Sequence, residues 1–443
     1  MKDISEEEYK LAKEAHVSNC TGGNIYEINA LCASLVSSHL LWTSLVQTNK
    51  IKHDSFFPQF AIYVLPLLAS MTVVSDYATL VTVGIASIAM MIYMFCKVDT
   101  EKKKDEGQNN KQFLSYLTIY RAGAIISTCI AILAVDFQFF PRRFAKVETF
   151  GTSLMDVGVG SFVFSSGIVA SRAYTNTQSK KTFLSSMIQS TRSALPILAL
   201  GFTRLFLTKS VDYQEHNSEY GLHWNFFFTL GFLPPFVTAL GIFRPFAVTG
   251  LTIASAYQLA LHQGLQEWIL NAPRVNLLSA NKEGICSFLG YLSIFLLGLQ
   301  VGMWVFSSSD RLMIRLSGFS GFMWSLFGVW ISLFPDNYVS RRMANLPYIL
   351  WVVAFNVTLI TSLVYVESKI ATKGRAPSML DALNINGLFT FLLANLLTGT
   401  VNLSIRTLYV SDLTASIVNI AYMLIVCFVP WILWNRYQVK IKF

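Results

Sequence analysis

The sequence predicts an all-α fold, a polytopic membrane helix bundle of about thirteen transmembrane helices, and three observations predict it. Only 13% of the residues are charged while 53% are hydrophobic, with a mean hydropathy of +0.49; a soluble domain carries roughly 25% charged residues. Apolar runs of about 17–25 residues, the length a helix needs to cross the hydrocarbon core, recur from near residue 26 to residue 434. Many of the 18 Tyr and 9 Trp fall near the ends of those runs, where aromatic belts form at membrane interfaces. With no water inside the bilayer, each run must satisfy its own backbone hydrogen bonds, which makes it a helix. A large soluble core with this many long runs would need far more surface charge.

Taken in order, the spans lie near 26–47, 56–75, 78–96, 113–135, 157–173, 193–208, 224–241, 246–262, 284–306, 316–334, 346–366, 385–402 and 413–434. The eighth, Phe246 to His262, is the most polar. An odd number places the termini on opposite sides. With a luminal N-terminus the cytosolic loops hold about 20 basic residues against about 12 on the other face, so the positive-inside bias selects a luminal N-terminus and a cytosolic C-terminus. The expected plan is a luminal tail over 1–25, one transmembrane domain over 26–434 and a cytosolic tail over 435–443. Residues 1–20 are polar and acidic, with Glu6, Glu7 and Glu8, unlike a cleavable signal peptide. Cys20, Cys32, Cys96, Cys129, Cys286 and Cys427 are scattered, with neither metal-ligand spacing nor a disulfide framework. No nucleotide loop, zinc motif, Gly-x-Ser-x-Gly elbow or internal repeat is present, and Lys102-Lys103-Lys104-Asp105-Glu106 reads as a solvated linker.

The chemistry is concentrated in short polar segments at helix ends. The densest runs from Ala134 to Asp156 and holds Asp136, Arg142, Arg143, Lys146, Glu148 and Asp156 among five Phe. Basic residues on the luminal side run against the bias and need a reason. An interfacial loop whose cations meet lipid phosphates, with its Phe in the headgroups, accounts for the composition as well as a catalytic segment does. A second segment, Asp212 to Asn225, gathers Glu215, His216, His223, Trp224 and Asn225 at a helix start. Its histidine spacing matches no zinc pattern and no third firm ligand is near, so no metal is expected. Lys282 and Glu283 enter a helix in a third segment, and Arg341 and Arg342 lie in a fourth. Asn384, Asn386 and Gly387 open the twelfth span, as a cap or an inward dip. Arg121 and Arg204 fall inside apolar helices, where a charge is costly and either pairs within the protein or snorkels to an interface.

Read together, these strings resemble the GPI-anchored wall transfer protein family, the fungal inositol acyltransferases of glycosylphosphatidylinositol (GPI) biosynthesis. The resemblance covers nearly the whole chain. It starts at G-G-N-I-Y-E-I-N-A (Gly22 to Ala30) and includes A-V-D-F-x-x-F-P-R-R-F-A-K-V-E-T-x-G-T-S-L-M-D and Y-Q-E-H-x-x-E-Y-G-x-H-W-N-F-F. It continues through S-A-N-x-E-G-I-x-S-F-L-G-Y and S-R-R-x-A-N-L-P-Y to N-x-N-G-L-F-x-F-L-L-A-N at Asn384 to Asn395. The resemblance implies an endoplasmic reticulum enzyme of thirteen helices with a luminal N-terminus. Its reaction moves a fatty acyl group, usually palmitoyl, from acyl-CoA to the inositol of glucosaminyl-phosphatidylinositol. It also implies that the essential Asp and Lys of the family fall on Asp136 and Lys146. Gln138 and Phe150 depart from the pattern without touching those positions.

On this reading Asp136 is the general base, placed where an apolar helix meets the interface and partial desolvation strengthens a carboxylate as a base. Lys146 either orients Asp136 or stabilises the thioester oxyanion, and His216 and His223 are alternative bases. Arg142, Arg143, Arg341 and Arg342 are expected phosphate ligands, because the guanidinium fork matches phosphate oxygens. Glu148, Asp156, Glu215, Trp224 and Asn225 complete the expected substrate-binding set. No cofactor is expected, acyl-CoA being the donor substrate; the expected partners are palmitoyl-CoA, glucosaminyl-phosphatidylinositol and membrane lipids, not nucleic acid. A lipid or small-molecule transporter is the competing class, with Arg121, Arg204 and the loop acids as its path. A scaffold for other enzymes would have no need of Asp136 and Lys146.

Overall fold

The computed structural model describes residues 5–95, 114–175, 182–210, 219–241, 245–307, 311–335, 339–370 and 376–441. Among these residues the secondary structure is helical throughout, without strands. In chain order the first helices are α1 (Glu6–Val17), α2 (Ile25–Gln47), α3 (Phe56–Tyr63), α4 (Leu65–Met71), α5 (Ala78–Phe95) and α6 (Ser115–Ala134). Then come α7 (Leu154–Ala170), α8 (Arg172–Thr175), α9 (Phe183–Ser210), α10 (Phe226–Ala239), α11 (Phe246–Ala260), α12 (Gln266–Asn271) and α13 (Leu277–Ala280). The last are α14 (Lys282–Val305), α15 (Leu312–Leu333), α16 (Leu346–Lys369), α17 (Ser378–Ile385), α18 (Gly387–Ser404) and α19 (Asp412–Asn435).

Nine helices among the described residues are long and apolar enough to cross a membrane, and the chain is a multi-pass membrane protein. The other expected spans are helical but differ in form. The second is split into α3 and α4 just before Pro66, whose ring lacks the N–H that would continue the ladder. The eighth ends at Ala260 in a wide turn, Leu261–Leu265, and resumes as α12. Gly264 sits there at φ +108°, a conformation that favours glycine. The expected N-terminal tail contains a helix: α1 opens with a capping box in which Ser5 and Glu8 satisfy each other's backbone amides.

The helices form two compact units. One comprises residues 1–146, 153–158 and 359–443. In it α2 packs on α5, and α6 packs against α17 and α18. Its apolar interior is pinned by polar bonds that lipid could not replace. The Tyr422 hydroxyl donates to the Cys129 carbonyl at 3.0 Å, and Gln59 donates to Ser378 (3.1 Å) while accepting from the Met379 amide (2.7 Å). His39 Nδ1 lies 3.0 Å from the Tyr63 hydroxyl, and Ser115 donates to Glu367.

The other unit comprises residues 147–152 and 159–358, with α9 on α10 and α11 on α14. Helices α7 and α14 approach closely. A methyl group on Gly167, Gly298 or Gly302 would lie 2.2, 2.4 or 2.5 Å from the carbonyl oxygens of Phe295, Phe164 and Ile168 respectively. Gly298 and Gly302 form the G-x-x-x-G spacing that lets helix backbones touch in lipid. Gly298→Val should therefore destabilise the protein by ~1–3 kcal/mol, the usual cost of overpacking. Gly318→Ala, where nothing lies within 4 Å of the added methyl, should be neutral or slightly stabilising. Thermal unfolding midpoints of the two variants in detergent check this.

Candidate active site

The connection after α6 is built around three phenylalanines. Phe137, Phe140 and Phe144 are buried, and the Phe140 and Phe144 rings meet edge to face at 6.2 Å. The side chains that composition allowed to sit among lipid headgroups are instead anchors of the protein interior. They hold the backbone between Asp136 and Lys146, and a short 3-10 turn, Arg142–Phe144, aims the two arginines outward.

Arg142 donates to the carbonyls of Ala15 and Ser18 at the end of α1. Those are the carbonyls a helix leaves without internal partners, at the negative end of its dipole. Arg143 binds Glu27 on α2 (2.8 Å) and Asp76 (2.5 Å), and these hydrogen bonds, Glu27 first, raise its pKa so that it stays charged. Both arginines thus tie this connection to other segments of the chain. Lys146 is exposed on the same connection. Asp156 is wholly buried and joined to Ser153, whose hydroxyl donates to its carboxylate at 2.7 Å and accepts from its amide at 3.2 Å. Ser153 therefore caps the start of α7, and Asp156 in the first turn holds its hydroxyl.

Asp136 is 21% exposed at its side chain. Its Oδ2 accepts from Asn402 Nδ2 at 2.7 Å, and Lys13 Nζ lies 3.6 Å from its Oδ1. Lys13 also donates to Asn402 Oδ1 at 2.8 Å. Asn402 lies in the last turn of α18, and Lys13 comes from α1, so three distant segments meet at one carboxylate. Tyr9, Lys13 and His16 are spaced four and three residues apart and share a face of α1. Tyr9 lies 3.3 Å from the Thr407 hydroxyl and packs on the Tyr409 ring at 5.6 Å, with the Arg406 guanidinium 5.6 Å over its own ring. His16 hydrogen-bonds the Phe137 backbone and feels both Asp136 and Arg142.

The second unit holds another cluster. Glu283, with no exposed surface, receives Arg274 at 2.6 Å and Arg342 at 3.0 Å. Lys282 is buried beside it and donates to the Trp268 and Ala272 carbonyls. Arg341, also buried, faces Glu219 at 3.5 Å. Asn281 accepts from the amides of His223 (2.8 Å) and Trp224 (3.0 Å), and His223 Nδ1 is buried without a hydrogen-bond partner. Asn225 caps α10 through the amides of Phe227 and Phe228 and donates to the Gly201 carbonyl. Trp224, Phe232, Phe236 and Phe288 line an apolar cavity of about 360 Å³, of a size typical for small-molecule pockets. Glu148 is exposed, and Glu215 and His216 lie outside the described residues. The twelfth-span asparagines act as fasteners: Asn384 donates to Thr118, and Asn386 accepts from the Ile441 amide and donates to the Val439 carbonyl. Arg204 is exposed and Arg121 half-buried.

The structure thus gathers Asp136, Arg142, Arg143 and Lys146 on one connection, and Glu283, Arg341, Arg342 and His223 in another unit. Sequence reasoning missed Lys13, His16 and Asn402. The signal for the first two was present, a Ser-x-x-Glu box ahead of a 9-13-16 spacing. Asn402 carries no local signal at all.

The GWT1 family model matches residues 9–433 of the chain. The GPI-anchored wall transfer protein 1 of Yarrowia lipolytica is 38% identical over 480 residues, covering 98% of this chain and 99% of its own. That of Aspergillus fumigatus is 40% identical over 487 residues, covering 95% and 96%, and that of Candida albicans 39% over 489, covering 98% of each.

The seating of α1 carries a pH dependence. Burial first, and then Arg142, lower the pKa of His16 below its ordinary 6.5, with Lys13 acting the same way and Asp136 opposing. The docked state therefore favours neutral His16. Its contribution is complete above pH 6.5 and is lost as the pH falls from 6.5 through the lowered value. Amide protection factors of α1, each taken against the intrinsic exchange rate at the same pH, should be high at pH 7.5 and fall toward pH 5, and His16→Gln should flatten that dependence.

Proposed function

This chain belongs to the GWT1 family, and on that premise we propose that it is the acyl-CoA-dependent inositol acyltransferase of GPI-anchor biosynthesis. It works as a multi-pass protein of the endoplasmic reticulum membrane, with its N-terminus in the lumen, and acylates glucosaminyl-phosphatidylinositol with palmitoyl-CoA. The observation that carries this reading is Asp136: a partly exposed carboxylate held at the end of an apolar helix by Asn402 and Lys13.

Acyl transfer to an inositol hydroxyl needs a base that takes one proton and a cation near the oxyanion. Asp136 Oδ1 takes the hydroxyl proton as the oxygen attacks the thioester carbonyl carbon. The tetrahedral intermediate then expels the CoA sulfur, which leaves as the thiol after receiving that proton from Asp136. An ester forms, a thioester breaks and no redox partner is needed. Lys146, exposed ten positions further on, is the cation for the oxyanion. Arg142 and Arg143 serve by shaping this connection. Arg341 and Arg342, which lie in the unit with the apolar cavity, are the better phosphate ligands of the four. The family relation and the position of Asp136 favour an enzyme over a transporter.

Membranes carrying the wild type should transfer radiolabelled palmitate from palmitoyl-CoA to glucosaminyl-phosphatidylinositol. Asp136→Ala should lower that rate by about 10²-fold or more, the usual worth of a general base, at equal protein level. Full activity in the variant overturns the base assignment, and absence of transfer by the wild type overturns the reaction.

A further inference from the structure

Asp136 has two oxygens, and they are treated differently. Asn402 Nδ2 occupies Oδ2 at 2.7 Å. Lys13 approaches Oδ1 to 3.6 Å, too long for a hydrogen bond but close enough for charge to act. The orientation of the Asn402 amide between them is not arbitrary. An ammonium can only donate and a carboxylate can only accept, so Asn402 must turn its oxygen to Lys13 (2.8 Å) and its NH2 to Asp136. Thr407 supports the same amide oxygen at 3.5 Å, and Tyr9 on α1 supports Thr407 at 3.3 Å.

We infer that Lys13 and Asn402 are positioning residues for Asp136, and that α1 is therefore part of the active site. The inference rests on the acyl-transfer reading. Asn402 fixes the plane of the carboxylate through Oδ2. Lys13 locks the amide and supplies positive charge beside Oδ1 without taking up its lone pairs. Oδ1 is left to receive the inositol hydroxyl in one orientation. Losing either group lets the carboxylate rotate, and misplacement of a reacting group by about 1 Å costs on the order of 10²-fold in rate. Neither residue touches substrate, so substrate affinity is untouched.

The test is steady-state kinetics on purified full-length protein with palmitoyl-CoA and glucosaminyl-phosphatidylinositol. Lys13→Met and Asn402→Leu should each lower kcat by about 10- to 100-fold, with KM for both substrates within about twofold. Lys13→Arg, which keeps the charge and the donors, should recover most of kcat. The double variant should cost no more than the worse single one, because both act through one carboxylate. Lys10→Met, on an exposed part of the same helix, should behave as wild type, and unchanged melting midpoints separate positioning from folding. If Lys13→Met does not accumulate, Asn402→Leu and Lys13→Arg carry the comparison. An unchanged kcat in Lys13→Met and Asn402→Leu overturns the inference, as does a rise in KM with kcat intact, which would make them substrate contacts. Those results leave the acyl-transfer reading standing provided that wild type transfers and Asp136→Asn does not. A wild type that transfers nothing removes both.

Discussion

Hydrocarbon offers no competing hydrogen bonds, so a polar group of this chain is most stable where it is answered inside the protein or carried to a place where water returns. The long apolar helices are the first consequence. The second is that Glu283, which has no exposed surface, is closed in by Arg274 and Arg342. The third is the pairing of glycine with carbonyl between α7 and α14, where backbones touch because no side chain intervenes. An acid left partly open, as Asp136 is, stands out against that background.

Most of the bundle was legible because its signal is local. Length and hydropathy place a membrane helix without any knowledge of its neighbours, and the spans fall on helices. The departures are also physical. The second and eighth spans break where Pro66 and Gly264 interrupt the ladder, and composition averaged over a window conceals such a break. The acidic N-terminus reads as a tail because its helix has no apolar face; α1 is held by Tyr9, Lys13 and His16 through polar and ring contacts instead.

The candidate site was legible in part for the same reason. Asp136, Arg142, Arg143 and Lys146 share one short connection, which the sequence displays as a single polar string. The partner that orients Asp136 does not share it: Asn402 is 266 residues away. The four arginines with the chemistry of phosphate ligands also contact a helix end and carboxylates within the protein. A guanidinium fork matches a backbone carbonyl or a glutamate as well as a phosphate, and sequence alone cannot distinguish these uses. The phenylalanines of the same connection, apolar enough for a headgroup layer, are the wedges that keep it in shape.

The burial of Glu283 sets an order on synthesis. Arg274 precedes it by 9 residues and emerges from the ribosome first, whereas Arg342 follows by 59. At about 5–20 residues per second, the acid waits roughly 3–12 s for its second cation. Through that interval Glu283 has one arginine near it in sequence, and the stretch just before α16 brings the second. The contact that closes this cluster is therefore non-local, and it can form only after the segment carrying Arg342 has been made.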